Sequence, residues 1–266
     1  MKDYKYVYLV GIGGIGMSAL ARWFNAQAVQ VFGYDKTATP LTDRLAQEGI
    51  QIHFDDRIGA IPAAIRDHKE QTLVIYTPAI PNHNQVLGHF RANRYAVFKR
   101  AEVLAMLTRH HRTIAVAGTH GKTTTTALLA HLIYSAGKKM VGFLGGIAKG
   151  YGSNLIMNGT SQEDTIMVLE ADEFDRSFLH TRPQMAIVTT ADPDHLDIYT
   201  TQQSFENAFR DFIALIPSTG KAIVHRQVAQ QLQLAEDTSH LVRYAVADAP
   251  VSASNIDIKN GDFCFD

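Results

Sequence analysis

The chain has 266 residues, 46% of them apolar, with 25 basic against 26 acidic side chains for a formal charge of −1. So even a balance excludes a global field favouring nucleic acid or an anionic membrane, and the length fits two α/β domains of ordinary size. A single cysteine, Cys264, excludes an internal disulfide and a cysteine-based zinc site. With no apolar run long enough to span a bilayer, the sequence reads as a soluble protein of a reducing cytoplasm.

Tyr6 to Val10 is aromatic and β-branched, the pattern of a buried strand, and it runs into GIGGIG. Gly11, Gly13 and Gly16 satisfy GxGxxG, a helix is predicted from Met17 to Asn25, and a second strand, Gln30 to Tyr34, ends at Asp35. Such a turn seats a nucleotide diphosphate on a helix N-terminus, and Asp35 is placed to hold a ribose hydroxyl; the motif alone does not separate NAD from other nucleotides, and it also arises where helix and sheet merely pack closely. A helix at 38–48 stopped by Gly49 and strands at 51–53 and 73–76 follow. The prolines of TPAIP, Thr77 to Pro81, turn the last strand into a loop at the carboxyl edge, where open α/β sheets bind ligands. Thr77 and the backbone of Ala79 are therefore candidate contacts, with an ordinary polar turn as the alternative. A helix is predicted at 83–93, a strand at 95–98 and a helix at 101–108, with Lys99 and Arg100 between them as a solvated pair. His110 and His111 read as linker residues, since neighbours in an extended segment point to opposite sides. The boundary falls here, giving predicted domains 1–109 and 110–266.

From Thr113 the strand–loop–helix rhythm restarts. The β-branched run 113–117 ends in GTHGKT, and a Thr- and Ala-rich helix is predicted from Lys122 to Ser135. Backbone N–H groups of such a turn and the positive end of the helix dipole stabilise a polyphosphate. Lys122 would neutralise the outer phosphates and Thr123 would offer its hydroxyl to magnesium. The full GxxxxGK[ST] pattern needs glycine where Val116 stands, so the loop is a shorter variant. A strand at 140–144 leads to GGIAKGYGSN, read as a permissive glycine-rich loop from Gly145 to Asn154. A strand at 165–169 ends in EADEFD, whose Glu170, Asp172, Glu173 and Asp175 lie where a carboxylate reaches the metal of a phosphate-loop site, or form a solvated acidic turn. A strand at 185–189 leads to TADPDHLD, crowding Asp192, Asp194, His195 and Asp197 into one loop. The 202–215 segment carries Phe205, Phe209, Phe212 and Ile213 at helical spacing and reads as core. Strands at 221–224 and 241–245 and an alternating pair within 256–265 complete the chain.

GIGGIGM, AGTHGKTTT, EADEFDRSF and DPDHLDIY, in this order and at these separations, resemble the Mur ligases of peptidoglycan synthesis over essentially the whole chain. The resemblance implies an α/β protein with an N-terminal Rossmann-like parallel sheet and a central phosphate-loop ATPase-type domain. It places UDP-N-acetylmuramate on Gly11, Gly13, Gly14, Ile15, Gly16, Asp35, Thr77 and Ala79. ATP would lie on Gly118, Thr119, His120, Gly121, Lys122, Thr123 and Thr124. Lys122, Glu170 and His195 would be catalytic, with Thr123, Glu170 and His195 as ligands of magnesium, or of manganese if the imidazole binds directly. The sugar's carboxylate would attack the γ-phosphate, and the amine of L-alanine would capture the acyl phosphate. The GIGGIGM form favours the alanine-adding branch over the branch that recycles a tripeptide. A nicotinamide-dependent dehydrogenase leaves Lys122 and Glu170 unexplained, and a phosphate-loop ATPase or switch leaves the first glycine turn idle. Family members also carry a third domain that brings in the amino acid, so the sequence reads as a truncated form that binds nucleotide without ligating.

Overall fold

The computed structural model describes residues 4–159, 164–192, 199, 201–235, 240–247, 249–259 and 262–266. Its first half alternates β1 (Tyr6–Val10), α1 (Ile15–Ala26), β2 (Gln30–Tyr34), α2 (Pro40–Gln47), β3 (Gln51–His53), α3 (Ala63–Asp67), β4 (Thr72–Tyr76), α4 (Gln85–Ala92), β5 (Ala96–Lys99) and α5 (Arg100–Thr108). The five strands form one parallel sheet in the order β3-β2-β1-β4-β5. Chain direction across the sheet reverses beside β1, so the carboxyl ends of β1 and β4 open the crevice in which such sheets bind ligands. Val7 to Val10 are fully buried, as helices on both faces require.

The second half continues with β6 (Arg112–Ala117), α6 (Lys122–Ser135), β7 (Met140–Ala148), β8 (Ser153–Met157), β9 (Ile166–Glu170), β10 (Met185–Val188), α7 (Gln202–Ala214), β11 (Lys221–His225), α8 (Arg226–Gln231), β12 (Leu241–Ala245) and β13 (Val251–Ser252). These strands form a second sheet, β13-β12-β11-β10-β6-β9-β7-β8, parallel except for the β7–β8 pair. A separate antiparallel pair, β14 (Asp257–Lys259) and β15 (Asp262–Cys264), ends the chain. Phe205, Phe209 and Phe212 on α7 are fully buried, in keeping with their helical spacing. Among the described residues no helix is long and apolar enough to cross a membrane.

The reading of 145–154 as an open loop is wrong. β7 runs through the glycines to Ala148 and turns back as β8, leaving only 149–152 as a turn, with Gly152 at φ +60°. Glycine content hid the far half of a strand that pairs with β9 over Met140–Phe143 and, after an irregularity, rejoins β8 at Ala148.

That hairpin fastens the two halves together. Asn154, fully buried on β8, donates to the Ile15 carbonyl and to Ser18 Oγ (2.8 Å) on α1, and accepts from Arg22 Nη1. Arg22 is in turn paired with Glu48 at 2.8 Å. Around this network Leu20 and Trp23 of α1 share one buried cluster with Val141, Phe143 and Leu155. The reading of His111 as a linker residue is corrected, because it belongs to the same junction: it is buried, its Nδ1 lies 2.9 Å from the Leu107 carbonyl, and its ring meets Trp23 edge-on. Removing a hydrogen-bonding group from a buried network costs the desolvation of every partner left behind. Asn154→Ala should therefore lower unfolding free energy by about 1–3 kcal/mol, measured by urea denaturation.

Candidate functional site: two anion cradles joined by a cleft

The first cradle is the N-terminus of α1. Gly14 is its cap, no side chain caps it, and no acidic residue occupies its first turn, so its N–H groups face the crevice without a protein acceptor from a cap. Gly11 at φ +86° makes the turn out of β1. Asp35 Oδ2 accepts from the Gly13 N–H at 2.7 Å and Oδ1 from Thr37 N–H at 3.2 Å, so its carboxylate also braces the glycine turn. Gly11, Gly13, Gly14, Asp35, Thr77 and Ala79 line a cavity of about 700 Å³, and Ile15 and Gly16 line its neighbour of about 410 Å³. Both volumes lie in the usual range of ligand clefts, about 300–1,000 Å³.

The second cradle is the N-terminus of α6, again uncapped by any side chain, with Gly121 as cap at φ +81°. The loop before it is pinned to the end of β10. Thr189 Oγ1 donates to the His120 carbonyl (2.6 Å), Thr190 Oγ1 accepts from His120 N–H (2.9 Å), and Thr119 Oγ1 donates to the Asp192 carbonyl (3.1 Å). Gly118, at φ +136°, is packed so closely that a Cβ there would collide with Thr189 Oγ1. Neither threonine announces itself in the sequence; only the pairing of β10 beside β6 brings them to the loop.

Parallel register also sets the carboxylates. Val116 of β6 lies opposite Glu170 at the end of β9, so Glu170 emerges beside the loop. Glu170 accepts from Thr123 Oγ1 at 3.1 Å and from Gly145 N–H at 2.5 Å. Burial pushes its carboxyl above the ordinary range; the Gly145 N–H, the Thr123 hydroxyl and the Lys122 charge oppose this, while Asp172 adds to it. Lys122 Nζ donates to the Gly118 carbonyl (2.7 Å) and to both oxygens of Glu173 (2.9 Å each). Glu173, its side chain 1% exposed, is the partner that the acidic run concealed: pattern alone does not say which of four carboxylates turns inward. Of the other residues singled out, Asp172 lines the 410 Å³ cavity, whereas Asp194, His195 and Asp197 and the side chain of Asp175 lie outside the described residues. Among the described residues no three His, Cys, Asp or Glu side chains are grouped for a metal ion.

Between the cradles, the 410 Å³ cavity runs from Gly14–Gly16 past Thr77 and Ala79 to Gly145, Glu170 and Asp172. Arg100 lines it too, so its reading as half of a solvated pair is corrected: Lys99 is exposed, but Arg100 is half-buried.

Residues 6–112 match the Mur ligase family catalytic domain, and residues 116–265 match the Mur ligase middle domain. The chain belongs to the Mur ligase family. It is 46% identical over 263 residues to a UDP-N-acetylmuramate-L-alanine ligase of Porphyromonas gingivalis, covering 98% of this chain and 57% of that one. The crystal structure of the UDP-N-acetylmuramate-alanine ligase MurC from Thermotoga maritima superposes with a TM-score of 0.77 at 28% identity, over 95% of this chain and 55% of that one. A murein peptide ligase from Psychrobacter arcticus gives 0.78 at 25% identity, over 97% and 57%. This Mur ligase chain thus spans a little over half the length of the curated relatives it matches.

Two substitutions test the second cradle without any ligand. Lys122→Met leaves Glu173 buried without its cation and should cost about 3–5 kcal/mol, most of it recovered in Lys122→Met/Glu173→Gln, as a double-mutant cycle of denaturation energies will show. Gly118→Ala forces a side chain into a left-handed, crowded position and should cost at least about 1–3 kcal/mol by the same measurement.

Proposed function

We propose that the chain is the nucleotide-binding portion of an ATP-dependent ligase that joins L-alanine to the carboxylate of UDP-N-acetylmuramate, working in the cytoplasm on a peptidoglycan precursor. The observation that carries this reading is a cleft that runs from the uncapped N-terminus of α1 to Glu170, whose carboxylate accepts from Thr123 Oγ1 at the uncapped N-terminus of α6. It is suited to a substrate that must hold one anion on α1 and present another to a triphosphate on α6. In this reading residues 1–109 hold the UDP-sugar and residues 110–266 hold ATP.

The chain's groups divide the work. The α1 N-terminus, from Gly11 to Gly16, takes the sugar diphosphate, and Thr77 and Ala79 border it at the β4 edge. The loop from Gly118 to Thr124 wraps the triphosphate, and Lys122, already poised between Gly118 and Glu173, turns its ammonium to the outer phosphates. Transfer to the sugar carboxylate forms an acyl phosphate and releases ADP; attack by the alanine amine then forms the amide and releases phosphate. Positioning and charge stabilisation supply most of the acceleration in such phosphoryl transfers.

Thr123 and Glu170 fit magnesium. The ion takes hard oxygen donors at about 2.0–2.1 Å in octahedral geometry, which sets adjacent donors about 3 Å apart. The Thr123 and Glu170 oxygens stand 3.1 Å apart. When bound, magnesium neutralises charge on the phosphates; His195 would complete its shell directly or through water, and a direct imidazole would suit manganese.

The murein peptide ligase from Psychrobacter arcticus shares the fold at 25% identity, but the 46% identity to an alanine ligase favours the alanine reading over a tripeptide-recycling one. A nicotinamide dehydrogenase would leave the α6 cradle idle. Calorimetric titration should show UDP-N-acetylmuramate and magnesium with a non-hydrolysable ATP analogue binding to one chain without competing, and NADH not binding. Competition between the first two, or tight NADH binding, would reject the assignment. Glu170→Gln should remove the magnesium dependence of analogue binding while leaving UDP-sugar binding intact.

A further inference from the structure

Neither cradle accounts for Arg100. It is the first residue of α5, half-buried, and its guanidinium rests on the glycine turn: a Cβ built on Gly16 would stand 2.7 Å from Nη1. It lines both the 410 Å³ cavity and an adjoining space of about 390 Å³ that includes Thr77 and Ser177. Within the first cavity it is the one cationic side chain among the described lining residues, which also include Glu170 and Asp172. Among the described residues it makes no ion pair or hydrogen bond. A half-buried guanidinium without a counter-ion is unfavourable unless a ligand supplies one, and its planar fork matches a carboxylate at two points.

The position narrows the choice of ligand. A diphosphate is served by α1 and a triphosphate by α6 and Lys122. The anion that must lie between them, within reach of Glu170 and Thr123, is the lactyl carboxylate of the muramic acid. We infer that Arg100 grips this carboxylate, and that the contact is what separates UDP-N-acetylmuramate from UDP-N-acetylglucosamine, which has the same diphosphate but no lactyl group. The assignment rests on the reading of the first cleft as a UDP-sugar site. Gly16 then serves a second purpose besides the helix turn, since any side chain there would displace the arginine.

The test is calorimetry on the wild-type chain, Arg100→Ala and Arg100→Lys with both UDP-sugars, with thermal melts and binding of the ATP analogue as controls. Wild type should prefer the muramate over the glucosamine by about 10- to 100-fold, the loss expected for one charge-assisted pair. Arg100→Ala should lose that preference by weakening only the muramate. Arg100→Lys, which keeps the charge but not the fork, should retain part of it. An unchanged preference in either variant overturns the inference, as does equal weakening of both sugars, which would place Arg100 on the diphosphate. If Arg100→Ala does not fold, wild type and Arg100→Lys still decide. Wild type binding both sugars equally rejects Arg100 alone, whereas wild type binding neither rejects the UDP-sugar reading itself.

Discussion

Parallel pairing of β6 with β9 and β10 sets Val116 opposite Glu170 and Ala117 opposite Val188, and the second cleft follows from that register. It brings Glu170 from one side and Thr189 with Thr190 from the other to a loop whose own residues could not hold its shape. A shift of one residue would turn these side chains to the opposite face of the sheet. The loop's positive-φ positions, Gly118 and Gly121, are glycines, which adopt that backbone conformation without a Cβ clash.

The same economy governs the space between the sheets. Glu170 holds the Gly145 amide within β7, and Asn154, beyond the hairpin turn, holds the start of α1. One hairpin therefore touches both cradles, and the distance between them is fixed by strands rather than by a linker. A carboxylate raised by burial, beside a lysine already committed to another carboxylate, describes a cleft whose charges are arranged before any ligand arrives.

Much of this was legible in sequence, for physical reasons. Gly11 to Gly16 and Gly118 to Thr124 are local motifs: strand, turn and helix are written in consecutive residues, and the structure sets both turns at helix N-termini. The predicted Lys122–Ser135 helix matches α6 in full. Thr123 and Glu170, 47 positions apart, are expected to share a cation from the family resemblance and from Glu170's place at a strand end, and their oxygens lie 3.1 Å apart. What stayed hidden depends on tertiary placement. Gly145 and Gly146 look like loop residues until the course of β7 is known. Arg100 looks solvated until α1 is packed beside it, and Glu173 is one acid among four until its turn folds inward. The short helices α3 and α8 carry too few turns to show a period.

The Asn154 junction bears on how this chain can be dissected. A cut near residue 110 would part α1 from the hairpin it leans on, and would bare Leu20 and Trp23 on one fragment and Phe143 and Leu155 on the other. Two ligand clefts do not make two transferable modules here. Anyone grafting either cleft onto another scaffold would have to carry its neighbour along, or rebuild the apolar surface that the neighbour covers.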